Sequence, residues 1–419
     1  MRVLLVSANT EKINMPTMPL GLAMVCAAAR RAGHRTRFLD LMFQPDPLAT
    51  LRRAIAEHRP DVIGISVRNI DDQNLQGPRL LVDKVGPVVE ACRACSSARV
   101  VLGGAGYSLF PRAALSLLGA DLGVQGEGER AFVALLDRLG RDEDPGDLPG
   151  IQLPQGPVAA GDHAQLDTLP LPDDELWACV DPATENLWVP VESRRGCAND
   201  CSYCSTALIQ GRKHRCRSPR EVVEQVARMA GAGFSRFYFV DNSFNIPEAQ
   251  GLELCYSMRQ LGLDITWRCI LYPHRVSEEL VRAMSQAGCV EVALGFESGS
   301  EPVLQRMNKR FTPDDVSRAA ALLEAHGIRR MGFLLLGGPG ETRQTVEQSL
   351  AFAESLELES LRTTIGIRIY PNTPLARIAV DEGVIEADDD LLLPRFYLAP
   401  GLAPWIYQRV TAGVVGRPR

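Results

Sequence analysis

RRGCANDCSYCST, residues 194–206, places cysteines at 197, 201 and 204 within one short polar segment. The C-x3-C-x2-C spacing offers three soft thiolates on a single tight loop, directly after a β-rich run. Structural zinc takes four ligands, usually as two paired knuckles. The nearest supplements, His214 and Cys216, form no second pair, so a zinc reading needs a ligand from a distance. A ferredoxin cube takes four cysteines, whereas three thiolates leave one iron open to another ligand. So polar a loop is also a poor place for inert cysteines. The remaining cysteines, at 26, 92, 95, 179, 216, 255, 269 and 289, read as small buried hydrophobes rather than a disulfide framework.

Downstream of this loop the pattern is regular. Strand-like runs fall at LWVPVESR (187–194), FSRFYFVD (234–241), ITWRCI (265–270), VEVALGFE (290–297), RRMGFLLLG (329–337) and LRTTIGIRIY (361–370). Helical periodicity fills the gaps, at about 219–231, 247–261, 277–287, 312–326 and 342–355. Six βα units predict a partial (β/α)6 TIM-type barrel over 187–383. Barrel sites gather at the carboxyl ends of the strands. These ends carry Asp241 and Asn242, GFESGS with Glu297 and Ser298, LLLGGPGET with Gly337 and Gly338, and IRIYPNTPLA. Asp241 could instead be a helix cap ahead of SFNIPEAQ, and GGPGE could be a plain turn.

Upstream, residues 1–140 alternate strand and helix five times: RVLLVSA (2–8), HRTRFLDL, DVIGISV (61–67), RVVLGG (99–104) and DLGVQG (121–126), each followed by a helical pattern. That order predicts an α/β, doubly wound, Rossmann-like parallel sheet, which binds ligands at its strands' carboxyl ends. The loops NTEKINMPTMP and RNIDDQNLQGP are longer than an ordinary βα connection, and GGAGYSLFP is glycine-rich. There is no G-x-G-x-x-G after the first strand and no Walker loop. Residues 141–186, with DPGDLPGIQLPQGP and LPLPDDEL, read as a linker. Residues 384–419 form a tail without an assigned pattern.

A chain of 419 residues, 46% apolar and 23% charged, is long enough for two domains. The formal net charge of −6, with no basic run, argues against nucleic acid or an anionic membrane as the main partner. MRVLLVSA is too short for a secretory h-region, and no apolar run spans a bilayer. A cytoplasmic protein is expected.

C-x3-C-x2-C with an aromatic residue before the last cysteine, on the first loop of a partial barrel, resembles the radical S-adenosylmethionine (SAM) enzymes. The resemblance implies that Cys197, Cys201 and Cys204 hold a [4Fe–4S] cluster whose fourth iron chelates SAM. A cluster electron would cleave the sulfonium to a 5′-deoxyadenosyl radical that abstracts hydrogen. Asp241, Asn242, Glu297 and Ser298 would contact SAM, Gly337 and Gly338 would take its adenine against backbone, and Tyr203 would flank the adenine.

The stretches MPLGLAMVCAAARRAGHRTRFLD, VIGIS, VLGGAGYSLFP and GEGE (126–129) resemble the cobalamin-binding domain that precedes this barrel in many methyltransferases. By that resemblance Pro19, Leu20, Ser66, Gly103, Gly104, Gly126 and Glu127 would line the cobalamin. The D-x-H-x-x-G motif that puts a histidine below cobalt is missing, since the first loop has no histidine. The methylthiotransferases share the cysteine spacing, but their three amino-terminal cysteines are not matched by Cys26, Cys92 and Cys95.

The resemblance implies methylation of an unactivated carbon of a small-molecule or natural-product substrate. An external low-potential donor, flavodoxin or ferredoxin, would supply electrons. The alternatives are a radical SAM enzyme of another outcome (dehydration, epimerisation or rearrangement) with cobalamin unused, and a non-enzymatic iron–sulfur or zinc sensor.

Overall fold

The computed structural model describes residues 1–13, 15–156, 161, 163–177 and 180–414; Cys179 and the end of the tail lie outside the described residues. The amino-terminal sheet is built from β1 (Arg2–Ser7), β2 (Arg35–Asp40), β3 (Val62–Ser66), β4 (Arg99–Gly103), β5 (Leu122–Val124) and β6 (Ile151–Gln152). Its order is β2-β1-β3-β4-β5-β6, parallel throughout except for the last pair. The central strands are buried along nearly their whole length, as a sheet covered on both faces must be. Between β1 and β3 the order reverses direction, which makes a switch point at their carboxyl ends.

The helices Leu20–Arg31, Pro47–His58, Gly86–Cys95, Pro111–Leu118 and Gly128–Leu139 follow the periodic patterns of the sequence. Local chemistry sets their starts. Asp46 caps the second through Ala49 N–H, with Pro47 at the first helical position. The helical pattern that follows DVIGISV is divided into a 3-10 turn, Val82–Lys84, and a helix restarted at Gly86.

The second sheet contains β7 (Val189–Val191), β10 (Arg236–Phe239), β11 (Thr266–Leu271), β12 (Cys289–Glu297), β13 (Arg329–Leu336) and β14 (Ser360–Ile365), in the order β14-β13-β12-β11-β10-β7. Between β7 and β10 in sequence lies a small antiparallel pair, β8 (Arg194–Arg195) with β9 (Arg215–Cys216). The expected strand 187–194 therefore ends early, and its last residue opens this pair. The expected strand 361–370 is also divided. Gly366, at φ +77°, breaks it after β14, and β15 (Ile367–Arg368) then pairs with β16 (Phe396–Tyr397) in the tail. The tail also carries the helix Trp405–Val414.

Helices Pro219–Gly231, Glu248–Gln260, Glu278–Gln286, Pro313–Ala325 and Arg343–Ser355 separate these strands as expected. Thr312 and Thr342 open the last two with capping boxes. Among the described residues no helix is long and apolar enough to cross a membrane.

Candidate functional site

The cysteine loop is half-buried, and none of its three cysteines is disulfide-bonded. Its amino end is held by Cys197 N–H donating to Gly211 O at 3.1 Å. Its middle is held by the segment Met307–Arg310. Met307 O accepts from Ser202 N–H at 3.0 Å, Asn308 Nδ2 donates to Asp200 O at 3.1 Å, and Arg310 meets the Asp200 carboxylate at 3.3 Å. Leu375 N–H donates to Ser202 O from the other side at 2.9 Å. These backbone anchors fix a loop that has no regular structure of its own.

Between Cys201 and Cys204, Tyr203 donates its hydroxyl hydrogen to Glu297 Oε1 at 2.8 Å. The ammonium of Lys309 lies 3.3 Å from the same oxygen and 5.3 Å from the Tyr203 ring centre. Burial works against the charged form of Lys309, but Tyr203, Glu297 and Cys201 around it outweigh that and raise its pKa. Burial, then Glu297, pushes the Tyr203 phenol well up, so it stays a donor. Glu297 ends β12 at a bulge, where the register to β13 shifts between Gly295 and Glu297, and its φ is +63°. A non-glycine residue in that region is uncommon, and bulges of this kind re-aim a side chain.

The other SAM candidates occupy the strand ends in different ways. Asp241 is buried, and Asn242 beside it is partly exposed. The following helix begins after Pro247 without a side-chain cap, so Asp241 does not serve as one. Ser298 is fully buried, with its hydroxyl 2.8 Å from Ser349 Oγ and accepting from Ser300 N–H, which ties it to the helix Arg343–Ser355. Gly337, at φ +97°, and Gly338 both donate backbone N–H to Glu341 Oε2, at 2.5 and 2.9 Å. A Cβ at Gly337 would lie 2.4 Å from Leu398 Cδ1. Glu341 is buried, and desolvation raises its pKa to about 7 against the pull of those two amides. Lys309 and Glu341 were not singled out in the sequence; the first lies in MNKRF, a segment without catalytic spacing, and the second in the quoted GGPGET.

On the amino-terminal sheet, Ser66 ends β3 opposite Gly103 at the end of β4. Gly126 and Glu127 follow β5, and Pro19 and Leu20 open the helix after β1. Ser66, Gly103, Gly104, Gly126 and Glu127 are all partly exposed although the strands below them are buried, so one rim of the sheet gathers them. Gly104 has φ +97°, and a Cβ there would meet Val67 O at 2.7 Å and Ser66 Oγ at 2.9 Å. Glu127 is engaged by charge: its carboxylate binds the Arg215 guanidinium and stands 3.5 Å from Arg195 and from His163.

The B12 binding domain family matches residues 6–136, and the Radical SAM superfamily matches residues 191–353. The chain is a radical SAM enzyme with a B12-binding domain. An uncharacterized methyltransferase of Pyrococcus horikoshii is 25% identical over 398 residues, spanning 92% of this chain and 84% of that protein. Tryptophan 2-C-methyltransferase of Streptomyces laurentii is 25% identical over 442 residues, spanning 89% of this chain and 74% of that protein. The radical SAM methyltransferase TsrM of Kitasatospora setae, solved with tryptophan and a SAM analog, shares the fold with a TM-score of 0.86 at 23% identity, covering 99% of this chain and 89% of that one.

In this radical SAM enzyme the two domains imply a [4Fe–4S] cluster, SAM and cobalamin. The donor set fits the cluster: three thiols share one anchored loop, and a cube takes its thiolates on separate irons.

Proposed function

We propose that this chain is a cobalamin-dependent methyltransferase that methylates an unactivated carbon of a small-molecule substrate. The observation that carries the reading is the presence, in one chain, of the anchored three-cysteine loop and of an open parallel sheet whose partly exposed rim carries Ser66, Gly103, Gly104 and Gly126. The methyltransferases among its relatives support it. When bound, the cluster and SAM supply a 5′-deoxyadenosyl radical, and cobalamin supplies a transferable methyl group.

Cys197, Cys201 and Cys204 would hold the cluster. Glu297, with Tyr203 and Lys309 fixing its carboxylate, would orient the methionine or ribose part of SAM, with Asp241 and Asn242 after β10, two strands away in the sheet order. Ser298 would act through its backbone, since its hydroxyl is spent on Ser349. Gly337 and Gly338 would lie against the adenine. Pro19, Leu20, Ser66, Gly103, Gly104 and Gly126 would line the cobalamin, and Glu127 would brace that rim through Arg215. An external low-potential flavodoxin or ferredoxin would reduce the cluster in the cytoplasm.

Anaerobic reconstitution with iron, sulfide, cobalamin, SAM and a low-potential reductant tests this. With the right substrate, 5′-deoxyadenosine and S-adenosylhomocysteine both form. Deoxyadenosine without S-adenosylhomocysteine points to a radical reaction of another outcome.

A further inference from the structure

We infer that Lys309 is a positioning residue that sets the electrostatics of the cluster loop, holding over the ring of Tyr203, which lies between Cys201 and Cys204 in the chain, a fixed positive charge that makes the cluster easier to reduce. The inference rests on the reading that Cys197, Cys201 and Cys204 carry the cluster.

Three observations carry it. First, the Lys309 side chain is only 5% exposed, so its charge is not dissipated into solvent. Second, it is anchored to the cysteine loop itself: its ammonium sits over the ring of Tyr203, between Cys201 and Cys204, and Phe311 flanks it at 5.7 Å. Third, the residues on either side lock the same loop, with Met307 and Asn308 bonded to Ser202 and Asp200 and Arg310 paired with Asp200. The backbone that carries Lys309 is therefore fixed to the loop, and the ammonium is held by Glu297 at 3.3 Å.

The physics gives a sign. Reduction adds one negative charge to a cluster already bearing thiolates, and net charge, hydrogen bonding and exposure set its potential. A buried cation nearby favours the reduced form. Glu297 opposes it, so the pair leaves a dipole with its positive end at Lys309. Removing the lysine alone leaves an uncompensated carboxylate and drives the potential down further.

The test is a potentiometric titration of the reconstituted full-length protein without SAM, followed by the electron paramagnetic resonance of the reduced cluster. Lys309→Met is expected to lower the midpoint by at least the equivalent of a tenfold loss of reduced cluster, which is about 59 mV for one electron. Lys309→Arg is expected to stay near wild type. Because Lys309→Met strands Glu297, the decisive comparison is Glu297→Gln against Lys309→Met/Glu297→Gln, in which no carboxylate is left bare. A lower midpoint in the double variant supports the inference, and equal midpoints overturn it. A wild-type protein with no cluster signal overturns the cluster reading instead, and this inference with it.

Discussion

Arg195 Nη2 donates to Glu129 Oε1 at 2.6 Å, and the two side chains are 6% and 3% exposed. Arg195 stands two residues before Cys197, and Glu129 lies in the first turn of the helix that follows the Gly126–Glu127 turn. Glu192 accepts from the same guanidinium at 2.6 Å, and Glu127 lies 3.5 Å away. The amino end of the cysteine loop is thus tied through buried charge to the rim of the first sheet.

Breaking a buried pair by removing one partner strands the other charge. Arg195→Ala is expected to destabilise the protein by about 3–5 kcal/mol. Glu129→Gln, which keeps an acceptor, is expected to cost markedly less. Denaturant unfolding followed by circular dichroism separates the two. Equal effects would mean that packing, not charge, governs the contact.

Glu341 predicts a pH dependence. Its folded pKa of about 7 lies above the ordinary glutamate value because burial disfavours the carboxylate. The folded state therefore holds a proton that the unfolded state has released, so this group's contribution falls as pH rises from about 4.5 to about 7 and is flat above. Glu341→Gln removes the ionisation and keeps an oxygen for Gly337 and Gly338. Its melting temperature relative to wild type is expected to rise between pH 5 and pH 8, by about one to three kcal/mol in free energy. A constant difference would refute the assignment.

Gly104→Ala introduces a Cβ into a left-handed backbone conformation and against Val67 O. Strain of about 1–3 kcal/mol at the rim should weaken cobalamin binding about tenfold, read as the cobalamin absorption retained after gel filtration. The overall circular dichroism should be preserved.

Cys201→Ala is expected to abolish the cluster's brown absorption and lower iron per chain after anaerobic reconstitution. Cys95→Ala, at an exposed helical position, should leave both unchanged. A cluster undiminished in Cys201→Ala would place the metal elsewhere.

The regular elements were legible because their signals are local. Pro219 and the amphipathic run after it give the helix Pro219–Gly231 to the residue, and the apolar run VIGIS gives β3. The parallel sense of the first sheet follows from helix-linked strands. What stayed hidden depends on partners far away in sequence. Ile151–Gln152 looks like linker and becomes a strand only because β5 offers it an edge. Lys309 reads as an ordinary surface cation until Glu297 and Tyr203 enclose it. Ser298 reads as a ligand contact, and nothing local signals that its hydroxyl meets Ser349, fifty-one residues later on another helix. The cysteines were legible because three ligands must lie within one short loop.

That late strand has a practical corollary. β6 pairs Gly123 with Gln152 and Val124 with Ile151, running against β5 and occupying hydrogen-bonding groups that would otherwise face water. An amino-terminal fragment stopped near residue 140 would present a naked sheet margin to its copies and is apt to precipitate, whereas one extended beyond Gln152 keeps its own seam closed. Anyone seeking the first lobe in isolation should cut after the seam.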